Sequence, residues 1–267
     1  MPEMPEVEAL RRVLIEDAVS ASIVSVQCRN TRLLKCTAQN LKNNSVGTTI
    51  TGVDRYGKCI CVNLSNLYKV IVHFAINGEL NIWDREPFYY DVLLQLSNNK
   101  CLVFTDLHGM ARMDCSLSNE LDLGPEVFDA EFTFEYFNRF LSLTGAAIKP
   151  VLMNQHFVAG IGNAYVCDIL FDAKVNPATP ANELSYEDKA RLYKSIKTVM
   201  QEGLDRCIAA SRLDNKLSNF ESIARRDMKV YGKTGYQCPV CGATIKHDKV
   251  GGRATFYCPT CQSGGAL

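Results

Sequence analysis

The hydrophobic pattern changes its period once, and the change divides the chain. Between Ser22 and Cys115, Val, Ile, Leu, Thr and aromatic residues form short runs broken every several residues by Gly, Asn or Asp. Ile50 to Arg55, Lys58 to Leu64, Lys69 to Phe74, Glu79 to Trp83, Val92 to Leu96 and Cys101 to Thr105 read as strands. Strands this dense imply an antiparallel sandwich or barrel. From Phe132 the spacing becomes helical, with Phe134, Phe137, Phe140 and Leu141 recurring on one face. Leu192, Ile196, Val199, Met200, Leu204 and Ile208 predict a long helix that Ser185 can cap. A helix-like segment, Glu6 to Asp17, precedes the strands, and after Leu217 the pattern loses its period until Val230. Gly124 and Pro125 stand at the switch. The expected architecture is α+β, with a strand-rich domain over 1–125, a helical domain over 126–229 and a small Cys/Gly-rich unit over 230–267.

That last unit carries its own instruction. Cys238-Pro-Val-Cys241 and Cys258-Pro-Thr-Cys261 are two C-x-x-C knuckles separated by 16 residues. Each pair can bring two thiolates to one tetrahedral ion, and the intervening stretch, with Gly251-Gly252 at its turn, is long enough for a β-hairpin. One structural Zn2+ held by Cys238, Cys241, Cys258 and Cys261 is expected, because four sulfurs leave no open position for a catalytic water. Such ribbons serve transcription, translation and repair alike. The other eight of the 12 cysteines are scattered along apolar runs and read as small core residues.

With 29 basic and 29 acidic residues the chain has no net charge, but residues 216–267 carry +5 and the remainder −5, which makes the C-terminal end the better anion binder. No apolar run approaches the roughly 18 residues of a membrane span, and Glu3, Glu6 and Glu8 replace the basic start of a secretory signal. We expect a cytoplasmic protein with reduced cysteines, without a membrane partner.

The first residues allow a specific chemistry. Removal of Met1, expected before a small residue, leaves Pro2 with a secondary amine that can attack a sugar C1′ to form an imine. Glu3 can shuttle the proton such a step needs. Pro2-Glu3-Met4-Pro5-Glu6-Val7-Glu8 resembles the opening PELPEVE of the formamidopyrimidine-DNA glycosylase / endonuclease VIII family. Arg55-Tyr56-Gly57-Lys58 is similar to its RxGK turn, and His73-Phe74-Ala75-Ile76-Asn77-Gly78 to its HLGMSG strand. Lys149-Pro150-Val151-Leu152-Met153-Asn154-Gln155 and Val158-Ala159-Gly160-Ile161-Gly162-Asn163-Ala164-Tyr165 resemble the helix-two-turn-helix element. Val230-Tyr231-Gly232 and Arg253-Ala254-Thr255-Phe256-Tyr257-Cys258 resemble its closing zinc finger. The matches follow the family's order along the whole chain.

The resemblance implies an N-terminal antiparallel β-sandwich with a leading helix, then a helical helix-two-turn-helix domain with a zinc-finger β-hairpin, forming a cleft for duplex DNA. It implies a bifunctional DNA glycosylase and abasic-site lyase that excises oxidised bases through a Pro2 imine and β- then δ-elimination. Pro2 would be the nucleophile and Glu3 the acid/base, while Glu6 shapes the site and Lys58 reaches the damaged nucleotide. His73, Lys149, Asn163 and Arg253 would contact phosphates. The partner would be damaged double-stranded DNA bound by a monomer, at the nucleoid if the cell is bacterial.

Three positions depart from the pattern where side chains fill the gap left by a turned-out nucleotide. Ile76 replaces the family's methionine, and Asp106-Leu107-His108-Gly109-Met110-Ala111 stands for its DPRRFG-like loop, with His108 at the arginine and Met110 at the phenylalanine. Residues 212–229 lack the family's LRDF and glycine-containing stretch, which in the formamidopyrimidine branch forms a loop over 8-oxoguanine. Efficient 8-oxoguanine capture is therefore not expected, while formamidopyrimidines, oxidised pyrimidines, hydantoins and abasic sites stay open as substrates. Arg225 and Arg226 there are either phosphate contacts or an exposed charged loop. A catalytically impaired damage-binding protein on the same scaffold is the alternative that the altered loop favours and that Pro2, Glu3 and Lys58 oppose. An RNA- or ribosome-associated zinc ribbon accounts for the quartet but not for the N-terminus.

Overall fold

The computed structural model describes residues 2–118, 121–213 and 217–263. The chain divides into two compact units, Met1–Leu121 with Leu204–Ile223 and Asp122–Gly203 with Ala224–Leu267.

The first unit opens on helix α1 (Met4–Ala18), for which Glu3 is the N-cap and Pro5 sits in the first turn. Val7, Leu10, Leu14 and Ala18, spaced by three or four, are buried where the helix lies on β2, β3 and β5 (Ile50–Tyr56, Cys59–Leu64 and Glu79–Trp83). With β1 (Ile23–Cys28), β4 (Lys69–His73), β6 (Val92–Leu96), β7 (Cys101–Thr105) and β8 (Arg112–Ser116), these strands form two four-stranded antiparallel sheets, ordered β1-β6-β7-β5 and β2-β3-β4-β8. Strand alternation decides which residues make the core. Val70 and Val72 are buried while His73 on the opposite parity is exposed.

Every strand read from the sequence is present, as are β1, helix α2 (Ala38–Ser45) and β8, which the same dense segment left unassigned. The pairings Cys28↔Val92, Val92↔Phe104 and Glu79↔Thr105 put four strand termini at one end of the first sheet, and the loops that leave that end build the site.

The second unit holds α3 (Phe134–Ser142), α4 (Ile148–Leu152), α5 (Asn163–Asp172) and most of α6 (Tyr186–Ser211). Ser185 caps α6 as expected, its Oγ accepting the Asp188 N–H at 3.0 Å. The core is aromatic: Phe140 stacks on Phe157 with centroids 3.9 Å apart, and Phe132 and Phe137 are fully buried beside them. Gly203 leaves room for Tyr165, whose Cε1 would lie 2.3 Å from any added Cβ. Strands β9 (Lys246–Val250) and β10 (Arg253–Tyr257) pair into the expected hairpin across Gly251-Gly252.

The stretch after Leu217 is corrected by the structure. Leu217–Arg226 is a helix, α7, with Leu217 and Phe220 fully buried. The Leu217, Phe220, Ile223 spacing carries that signal over less than three turns. Among the described residues no helix is long and apolar enough to cross a membrane.

Candidate functional site

The start of the first unit is locked in place before any ligand arrives. The Glu3 N–H donates to Glu6 Oε2 at 2.9 Å, while the Glu3 carboxylate accepts the Glu6 N–H. Both carboxylates are buried, Glu6 completely, so the Pro2–Glu3 peptide is held by a side chain with no freedom to move. Pro2 is itself buried and lines a cavity of about 430 Å³ shared with Asn77, Glu79, Tyr89, His108 and Leu217. Pro2, expected as the nucleophile, and His108, expected at the opposite base, therefore line the same cavity, while Glu3 and Glu6 hold the chain next to Pro2 and Lys58 is not in the lining.

Tyr89 and Leu217 were not foreseen. Asn81 explains the second, because its Oδ1 accepts the Leu217 N–H at 2.7 Å while its Nδ2 donates to Glu79 Oε2 at 3.0 Å, tying the start of α7 to β5.

The loop carrying His108 and Met110 is organised around Asp106. Its carboxylate accepts the backbone N–H groups of His108 (2.9 Å), Met110 (2.6 Å) and Ala111 (2.6 Å). Burial opposes the charge, but these donors outweigh it and hold the carboxyl below its ordinary range. Gly109 takes φ +70°, and Met110 stays half in water at the tip. Ile76 is 38 % exposed in the turn between β4 and β5. That turn closes on the loop at Gly78, where a Cβ would lie 2.5 Å from that of Ala111.

Lys58 follows Gly57 (φ +56°) in a turn braced by an ion-pair network. Arg55 donates to the Gly57 carbonyl at 2.9 Å and to Glu8 Oε2 at 3.1 Å, and Arg11 grips both Glu8 oxygens. Burial disfavours the Glu8 charge, yet the arginines hold its pKa at about 2. Cys59, next to Lys58, is directly opposite His73. Although its side chain reaches solvent, the His73 ring is partly desolvated by the atoms packed around it, and this, followed by the charges of Lys35 and Lys58, lowers its pKa. The imidazole thus lies in a cationic field that an incoming anion would offset.

In the second unit α5 begins at Asn163 with Gly162 as N-cap and no side-chain capping bond. Asn163 Oδ1 is buried without a hydrogen-bond partner. Arg253 is exposed at the start of β10.

Lys149 has partners other than the phosphate the resemblance implies: it is fully buried, and its Nζ donates to the Ala254 carbonyl (2.6 Å) and Thr255 Oγ1 (2.8 Å) of β10. A buried ammonium needs such acceptors, and here they join α4 to the hairpin. Lys149→Met should lower unfolding stability by about 1–3 kcal/mol, the cost of leaving buried acceptors unmade. The salt dependence of DNA binding should stay as it is. A shallower salt slope with unchanged melting would return Lys149 to the phosphate contacts. Asp168, also unforeseen, is buried on α5 and accepts the N–H groups of Lys229, Val230 and Tyr231, fixing the approach to the hairpin.

The four cysteines converge, their sulfurs all within 4.8 Å of one another. Cys238 and Cys261 Sγ are 3.8 Å apart and Cys241 and Cys258 3.5 Å, against about 3.8 Å for two thiolates on a tetrahedral zinc with 2.3 Å bonds. The N–H groups of Val240 and Cys261 point at Cys238 and Cys258 Sγ, both at 3.4 Å. The residues fit one structural zinc ion.

Three family models match in chain order. They are the formamidopyrimidine-DNA glycosylase N-terminal domain over residues 1–113, the formamidopyrimidine-DNA glycosylase H2TH domain over 123–213, and a zinc finger found in FPG and IleRS over 237–264. The formamidopyrimidine-DNA glycosylase of Pelotomaculum thermopropionicum is 33% identical over 277 residues, covering 98% of this chain and 99% of that protein. That of Streptococcus thermophilus is 31% identical over 272 residues, with 98% and 99% covered. The structure is similar to Lactococcus lactis Fpg in complex with abasic-site DNA (TM-score 0.90, 28% identity, 98% of this chain and 100% of that chain). It is similar also to the same protein in complex with DNA containing FAPY-dG (TM-score 0.87, 28% identity, 98% and 100% covered).

Proposed function

The chain belongs to the formamidopyrimidine-DNA glycosylase family, and from that membership we propose that it excises damaged bases from duplex DNA and then cuts the strand at the abasic site. The observation that carries this reading is the cavity with Pro2 in its wall and the Glu3/Glu6 box behind it.

Freed of Met1, the Pro2 nitrogen attacks C1′ of a nucleotide turned into the cavity. The N–C1′ bond forms as the glycosidic bond breaks and the base leaves with its electron pair, to be protonated by water. Glu3 takes the proton shed by the Pro2 nitrogen and passes it to the sugar ring oxygen as the ring opens to the iminium form of the imine. Loss of a 2′ proton then expels the 3′ phosphate, and a second elimination expels the 5′ phosphate. Turning the nucleotide out costs a few kcal/mol. Grips on the flanking phosphates offset it, for which Lys58, His73, Asn163 and Arg253 are our candidates. Asn163 stands at the first position of α5, the end of a helix whose dipole favours an anion. Ile76, His108 and Met110 are our candidates for filling the stack, their half-exposed or exposed placement being what insertion needs. We take the protein to act as a monomer on chromosomal DNA in the cytoplasm.

Borohydride trapping on duplexes carrying an abasic site, a formamidopyrimidine, 8-oxoguanine or an oxidised pyrimidine tests the reading. A covalent complex through the Pro2 nitrogen is expected, and its absence on all four moves the protein to damage binding without chemistry.

His108 gives a further expectation. A bidentate side chain on a base edge discriminates by roughly 5- to 150-fold, whereas histidine offers fewer, tautomer-dependent bonds. Excision opposite cytosine and opposite adenine should therefore agree within about fivefold, below the range a bidentate arginine supplies. A strong cytosine preference in paired-duplex assays would contradict the assignment of His108 to that place.

A further inference from the structure

We propose that Phe88 is a nucleobase-stacking residue at the cavity end of the first sheet, taking a base face exposed when the duplex stack is opened. Its side chain is 100 % exposed, which leaves in water an aromatic group that burial ordinarily stabilises. Its backbone, in contrast, is held at the carbonyl. Arg29 donates to the Phe88 carbonyl at 3.0 Å, lies 3.8 Å over the Tyr90 ring and pairs with Glu86 at 3.7 Å. Tyr90 is 1 % exposed, its hydroxyl bonded to Gln27 and Glu86. The loop is thus anchored on the sheet while one ring stands in water.

Asp91 ties that loop to the site. It accepts the Asn30 amide (3.1 Å), the Tyr89 hydroxyl (3.2 Å) and the Asp106 N–H (2.7 Å). Tyr89 lines the Pro2 cavity, and Asp106 organises the loop of Leu107, His108 and Met110. Leu107 is 81 % exposed and also lines the cavity. An exposed aromatic on an anchored loop, next in the chain to the cavity residue Tyr89, meets the requirement for base stacking, which needs a flat apolar face and no hydrogen-bond pattern. A protein partner would call for a wider apolar patch, whereas Phe88 follows Asp84, Arg85 and Glu86 in the chain.

The inference rests on the DNA-repair reading, so the test keeps the two apart. Phe88→Ala should raise the Kd for an abasic-site duplex by about five- to a hundredfold, the range for loss of one base–aromatic stack. Binding to the intact duplex should change much less, as should the trapping rate at saturating DNA. Phe88→Trp should restore binding, and its emission, read against a parent whose sole tryptophan is Trp83, should be quenched by the abasic-site duplex. Unchanged affinity in Phe88→Ala overturns the inference while wild-type trapping upholds the repair function. Weakened binding that neither Trp nor Tyr restores overturns it too, as a loss of structure. A wild-type protein that traps on no damaged duplex removes the repair reading itself.

Discussion

Glu3→Gln should slow base excision by about 10²- to 10⁴-fold, the usual contribution of a positioned acid/base, with little change in affinity for an abasic-site duplex. Glutamine keeps the oxygen that accepts the Glu6 N–H, so the cap of α1 survives and only the transferable proton is lost. A matched chain that retains Met1 converts the Pro2 amine to an amide. It should lose trapping on every duplex, including one already carrying an abasic site where no base has to leave. The pair separates nucleophile from proton donor. Single-turnover excision and borohydride trapping read the two steps, and a Glu3→Gln protein that excises at the parental rate would require another acid in the cavity. Glu6 is a positioning residue in this scheme, since its carboxylate reaches the Glu3 backbone rather than the substrate.

Much of this site was legible because its signals are local. The C-x-x-C knuckles, the Gly251-Gly252 turn and the Ser185 cap each depend on neighbours within a few residues, and each appears where the spacing put it. The alternating strands were equally readable, since period 2 survives whatever the sheet packs against. The unread features are those whose meaning lies far along the chain. Lys149 has the sequence setting of a phosphate ligand, and only the fold brings Ala254 and Thr255 to its ammonium, more than a hundred residues away. Leu217 enters the cavity because Asn81 ties the start of α7 to β5, across a separation of 136 residues. Helix α7 itself escaped because two fully buried anchors, Leu217 and Phe220, are too few to establish a period. Phe88 escaped for the opposite reason, since a phenylalanine near strand residues reads as core until its exposure is seen.

Zinc removal, or Cys258→Ser, should have the second large effect, and it should reach beyond the hairpin. Structural zinc sites in peptides bind with apparent energies of about 10–16 kcal/mol, which is folding energy for units too small to hold a core. The two strands β9 and β10 bury few residues of their own, Val250 and Thr255 among them, so without the metal they have little to keep them paired. Opening them withdraws the Ala254 carbonyl and Thr255 hydroxyl from the buried Lys149 ammonium, and α4 loses its tie in the same event. It also releases Arg253, and a charge-assisted phosphate grip is worth about 1.5–3 kcal/mol, or roughly 10- to 150-fold in affinity. Chelation should therefore lower both the melting temperature and DNA binding by at least that factor, with zinc restoring both. Arg253→Ala should lower DNA binding alone and leave zinc content and melting unchanged. If the zinc-free protein bound damaged duplex with full affinity, the hairpin would be a stabilising appendage and Arg253 would have no part in holding DNA.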